Sequence, residues 1–209
     1  MIAKAGTKDK GATMRAISRG VLALAVMLAL PGCVSLGGET PDLLITLTPD
    51  ESAPAGPMAS GETGNAIVIL DPDADRRIDV DRVPVQINAS SVAYLKDAVW
   101  VERPTRQFRR LLAETVRTKA GRVVIEGSDF EVKGRTRVAG RLSEMGYDAL
   151  RQTVVVRYDA VVEDGGAVRA RRFEAEVPGV PARASAVGPA LNEAANTVAK
   201  EAAEWILEG

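Results

Sequence analysis

From Thr153 onward the chain alternates. Val154, Val156, Tyr158, Ala160 and Val162 interleave with Thr153, Val155, Arg157, Asp159 and Val161, a period of two that predicts a β-strand with two different faces. Asp164-Gly165-Gly166 predicts a tight hairpin turn. The return strand sets Phe173, Ala175 and Val177 against Arg172, Glu174 and Glu176. One apolar and one charged face imply a sheet covered on one side only. A helical stripe lies at Phe108, Leu111, Leu112, Thr115 and Val116, opened by Pro104 and stopped at Gly121. A second runs through Leu191, Ala194, Ala195, Val198, Ala202, Trp205 and Ile206, and its start is expected near Gly188-Pro189.

Shorter apolar runs predict strands over 43–48, 66–70, 82–87, 123–125 and 137–144. In the last, Val138, Gly140 and Leu142 share a face. Pro84 places the strand from Arg82 at an edge or limits its pairing. Residues 49–64, rich in Pro and Gly, form an expected flexible loop. The sum is an α+β domain, a mainly antiparallel sheet with two amphipathic helices packed on one face.

The N-terminus follows another logic. Arg15 and Arg19 precede an apolar run from Val21 to Leu30, and then come Pro31, Gly32 and the chain's only cysteine, Cys33. A basic segment, a short apolar core and a small residue before the cut describe a secretory signal peptide, too short for the roughly 20 residues of a spanning helix. Leu30-Pro31-Gly32-Cys33 resembles the bacterial lipobox, in which the cysteine is acylated and becomes the new N-terminus. The bland alternative for a lone Cys is a small core hydrophobe. The expected organisation is a leader over 1–32, a lipidated tether over 33–42 and one domain over 43–209, with translation starting at Met1 or Met14. The tether past Cys33 reaches about 30 Å at most. Two or more acyl chains make anchoring stable. Val34, where enteric inner-membrane lipoproteins carry Asp, favours the outer membrane.

Charge and composition then exclude function classes. The chain has 27 Lys and Arg against 28 Asp and Glu, and removing a basic leader leaves an acidic excess, which does not suit nucleic acid. There is no histidine, so Ser-His-Asp and Cys-His catalysis are unavailable and the commonest metal ligand is missing. Asp71, Asp73 and Asp75 imitate the start of a calcium loop, but Arg76 stands where Gly is needed and Arg82 where a bidentate Glu is needed. A solvated turn is expected, with no metal and no cofactor. Arg103, Arg106, Arg109, Arg110, Arg117 and Lys119 decorate the first helix, either as a solvated face or as a basic patch for lipid headgroups or an acidic partner.

Several short motifs, taken in order, carry a resemblance. Leu47-Thr48-Pro49 closes the first strand and Arg82 opens a later one. Tyr94-Leu95 leads to Ala98-Val99-Trp100-Val101-Glu102 just before the amphipathic helix. Gly140-Arg141-Leu142, the long hairpin and an Ala-rich helix ending in Trp205-Ile206 follow. In this order, behind a lipobox, the chain resembles the ABC-type transport auxiliary lipoprotein family, companions of Mce-domain lipid-transport systems. Val99, Val101 and the acidic 71–81 loop depart from the usual pattern. The resemblance implies a lipid-anchored, non-enzymatic accessory of the cell envelope. Its partners would be a transporter permease and ATPase and an Mce-domain protein, and its cargo phospholipid or another hydrophobic molecule. Homo-oligomerisation is left open. Arg82, Tyr94 and Trp100 become candidate docking residues, since buried aromatics dominate interfaces; the alternative packs Trp100 beneath the first helix. Rival readings are an outer-membrane assembly or scaffolding lipoprotein with no transporter partner, a glycan-cleaving enzyme with paired carboxylates, and a free lipid shuttle.

Overall fold

The computed structural model describes residues 43–56, 59–127 and 134–208. The expected leader, the tether and Cys33 lie outside the described residues. The strands are β1 (Leu44–Ile45), β2 (Ile67–Leu70), β3 (Asp73–Ala74), β4 (Arg82–Asn88), β5 (Ser91–Trp100), β6 (Val124–Gly127), β7 (Thr136–Asp148), β8 (Thr153–Asp164) and β9 (Ala167–Val177). The helices are α1 (Pro104–Lys119) and α2 (Ala184–Leu207). The fold is α+β, as the periodicities imply.

Strand β7 is the hub of one mixed sheet. One edge pairs antiparallel with β8 along its whole length, and β8 pairs antiparallel with β9. The other edge is shared by three parallel partners: β2 at Thr136–Val138, β3 at Arg141–Leu142 and β4 at Tyr147–Asp148. Beyond them lie β6 beside β2, and β5 then β1 beside β4. The long ladders are antiparallel and the parallel pairings are short.

A bulge between Leu142 and Glu144 shifts the register of β7. An extra residue reverses which side chains face inward. Val138 and Leu142 are therefore buried before it, and Met145 and Tyr147 after it. This lets a 13-residue strand keep one apolar face while it bends. Gly140 makes room for Tyr158 from β8: a Cβ there would come within 2.6 Å of the Tyr158 ring. The Tyr158 hydroxyl donates to the Ala139 carbonyl at 3.1 Å.

Helix α2 lies against β5, β7, β8 and β9, and α1 against β2, β6 and α2. Phe108 of α1 meets Tyr158 at 5.0 Å between ring centroids, and Trp205 of α2 meets Phe173 edge-on at 5.7 Å. Valine, leucine, isoleucine and alanine fill the remaining core.

Four expectations need correction. Helix α2 starts at Ala184, not near Gly188-Pro189, and Pro189 lies inside it; so close to the N-terminus a proline removes one backbone bond where donors are already unpaired. Strand β1 has two residues, not six, because the backbone from Leu47 is taken over by helix side chains. The N–H groups of Leu47, Thr48, Asp50 and Ala53 donate to Gln107, Asn192, Asn196 and Glu114. For the same reason the first part of the 49–64 loop is strapped down across both helices rather than free. Finally, β4 is an interior strand despite Pro84. Its pairing with β7 begins only at Val85, and Gly146 leaves the space the proline ring occupies.

Candidate docking surface

The segment from Tyr94 to Trp100 ends β5, and its backbone is irregular. Arg82 pairs with Val99, yet Pro84 pairs with Tyr94. Two steps on β4 thus span five on β5, and the surplus bulges outward at Lys96 and Asp97. Asp97 takes φ 56°, the left-handed region that Asp and Asn tolerate best among non-glycine residues. The bulge re-aims the strand so that Leu95, Ala98 and Trp100 all point into the core.

Two of the three candidate docking residues meet at the surface. The Arg82 guanidinium lies over the Tyr94 ring at 4.9 Å, a cation–π contact. Val99, opposite Arg82, is half-buried and pairs on its other side with exposed Leu44 of β1. Val101 is also exposed. Trp100 is elsewhere: only 2% exposed, it belongs to the core, and the packing alternative describes its position.

The cations of α1 do not form an open basic patch. Arg109 bonds Asp71 at 2.8 Å and Glu126 at 3.3 Å. Arg117 bonds Glu114 and Glu126, each at 2.7 Å. Arg106 and Arg110 share Glu102, Arg103 reaches Asp79, and Lys119 reaches Glu204. Burial pushes the Glu114 carboxyl up, but hydrogen bonds from the Ala53 N–H and Arg117 outweigh it and hold it below the usual range.

The open face of the sheet carries its own charge pattern. One row crosses the strands as Asp75, Arg141, Asp159 and Arg172. The next runs Arg77, Glu144, Arg157 and Glu174. Signs alternate along each row and between them. The Arg172 bond, with help from Ser143, holds the Asp159 carboxyl below its ordinary range. At one end Arg151 joins Asp148 and Glu176, and the Arg151 side chain likewise depresses Asp148. A cleft of about 570 Å³ beside these rows is lined by Arg77, Gln86, Glu144, Asp148 and exposed Leu150 among others. Another, of about 410 Å³ between the helices, is lined by Asp50, Lys119, Lys200, Glu201 and Glu204 among others.

Among the described residues no group of three or more His, Cys, Asp or Glu side chains is placed to hold a metal ion, and the Asp71–Asp75 carboxylates instead engage Arg109 and Arg141. Sequence reasoning missed the strap-holding residues Gln107, Glu114, Asn192 and Asn196. A signal existed for two of them: Asn192 and Asn196 sit one turn apart, beside an alanine stripe. Their partners lie over 140 residues away, which no local pattern reports.

A family model described as the ABC-type transport auxiliary lipoprotein component matches residues 46–203. Among solved structures, XCC0632 from Xanthomonas campestris is similar at 22% identity and a TM-score of 0.60, covering 78% of this chain and 92% of that one. A second, of an uncharacterized protein, matches at 14% identity and a TM-score of 0.57, covering 73% and 94%. At these identities the two likenesses concern the fold alone. No curated protein matches the chain.

Proposed function

Because the chain belongs to the ABC-type transport auxiliary lipoprotein family, and so to a class of envelope-associated transport accessories rather than of enzymes, we propose that it acts by docking. Anchored through acylated Cys33 after removal of residues 1–32, and favouring the outer membrane, it works beside a permease, its ATPase and an Mce-domain protein. The cargo is phospholipid or another hydrophobic molecule passing between membranes. The family match over nearly the whole folded domain carries this reading.

The chemistry of the surface supports docking over carriage. A protein that encloses a lipid needs an apolar pocket, whereas the two clefts described here are lined largely by charged side chains. We place the docking contact at the Arg82–Tyr94 pair with Leu44, Val99 and Val101. These offer an aromatic, a guanidinium and exposed aliphatic groups together, the mixture that interface centres favour. They also adjoin β1, the first strand after the tether, so the contact falls within the tether's reach of the anchoring membrane.

A crosslinked pull-down of the intact protein from membranes, with mass spectrometry of partners and of the N-terminal peptide, tests this. Recovery of transporter subunits or an Mce-domain protein, acylated Cys33, and loss of that recovery in an R82A/Y94A variant are the expected results. Recovery of outer-membrane assembly proteins alone would replace it with the scaffolding reading, and an unmodified Cys33 would remove the anchor.

A further inference from the structure

Strand β9 is an 11-residue edge. It pairs with β8 on one side, and among the described residues no strand pairs with the other. An exposed edge of this length presents a row of unpaired backbone groups, which proteins ordinarily shield with charge. Here the charges are ordered. Arg169, Arg171 and Arg172 precede Phe173, and Glu174 and Glu176 follow it. Such an edge, basic in one half and acidic in the other, complements itself when reversed.

We propose that a second copy of this chain pairs with β9 antiparallel, about a two-fold axis at Phe173. Arg172 then stands opposite the partner's Glu174, and Glu174 opposite the partner's Arg172, all on the open face. The alternation of the monomer continues without a break. Asp75, Arg141, Asp159 and Arg172 are followed by the partner's Glu174, the partner's Arg157, the partner's Glu144 and the partner's Arg77. The charges also select the register. A slip of one residue puts open-face side chains against helix-face ones. A slip of two sets Glu174 against the partner's Glu174, or Arg172 against the partner's Arg172, and parallel in-register pairing does the same. Like charges directly opposite are unfavourable. The usual deterrent of a charged edge thus becomes a device that accepts one partner in one alignment.

The test uses the full lipid-bearing chain in density-matched detergent, followed by sedimentation equilibrium. The wild-type protein is expected to dimerise. R172E and E174R each replace both attractive contacts by repulsive ones, and each should weaken self-association about tenfold or more. Mixed together, the two variants should recover a heterodimer near wild-type strength, because two carboxylates on one chain then meet two guanidinium groups on the other. Arg172 and Glu174 are on the solvent side of the sheet, and unchanged melting curves will verify folding. A monomeric wild type, variants that self-associate as wild type does, or a mixture that fails to associate would each overturn the proposal. The lipid is identical in every sample, so anchor-driven association cannot mimic the mixing result.

Discussion

The two faces of this sheet are built from the same three long strands and are held by opposite physics. On the helix side, Val138, Leu142, Val156, Tyr158 and Phe173 are sealed under α1 and α2. On the other side, the alternate residues of those strands form rows of arginine and carboxylate in contact with water. Apolar burial is non-directional and grows with area. Surface ion pairs contribute little each and are screened by salt. The covered face therefore supplies stability, while the open face supplies direction: which strand lies beside which, and in what register.

The difference can be broken most sharply at the covered face. Phe108→Ala removes a fully buried ring stacked near Tyr158 and is expected to cost about 3–5 kcal/mol in chemical denaturation. Gly140→Ala comes next, at about 1–3 kcal/mol. Its methyl meets the Asp159 backbone as well as the Tyr158 ring, and backbone cannot swing aside. Asn196→Ala tests the strap that joins the helices to the N-terminal segment. Buried Asn196 accepts from Asp50 N–H at 2.9 Å and donates to the carbonyls of Thr48 and Asn192. Its loss strands buried polar groups at a cost of about 1–3 kcal/mol, and hydrogen exchange should rise across 48–53 before the sheet responds.

The smallest effects belong to the open face. Asp159→Asn should lower stability by less than any of these, and raising NaCl should shrink the difference further. Lowering pH makes the same comparison without mutation. Asp159 and Asp148 are held below their ordinary range by bonds to Arg172 and Arg151, and Glu114 by bonds from Ala53 and Arg117. Groups depressed in the folded state stabilise it above their unfolded pKa and lose that contribution as pH falls through the folded one. Thermal melts should thus hold steady at neutral pH and fall below about pH 4. The Asp159→Asn variant should show a smaller part of that fall, and Phe108→Ala the whole of it.

What could be read from residue order was whatever depends on near neighbours. The β8–β9 hairpin was legible because its alternation and its turn lie in one stretch, and Gly165 and Gly166 take the positive φ the turn requires. Helix α1 was legible because an apolar stripe, an opening Pro104 and a stop near Gly121 are all local. The family's motifs were visible for the same reason, and they pointed to Arg82 and Tyr94 before their stacking was known. Tertiary structure alone decided the rest. It divided one edge of β7 among three parallel partners, reversed β7 at the Leu142–Glu144 bulge and β5 at Asp97, and buried Trp100 while leaving Tyr94 at the surface. It also tied Thr48 to Asn192 and Asn196, and turned scattered arginines and carboxylates into ordered rows. Each of these joins residues far apart in the chain. Pairing, register and charge neighbours depend on which strands meet, and a period of two or of 3.6 says which way a side chain points without saying what it will find there.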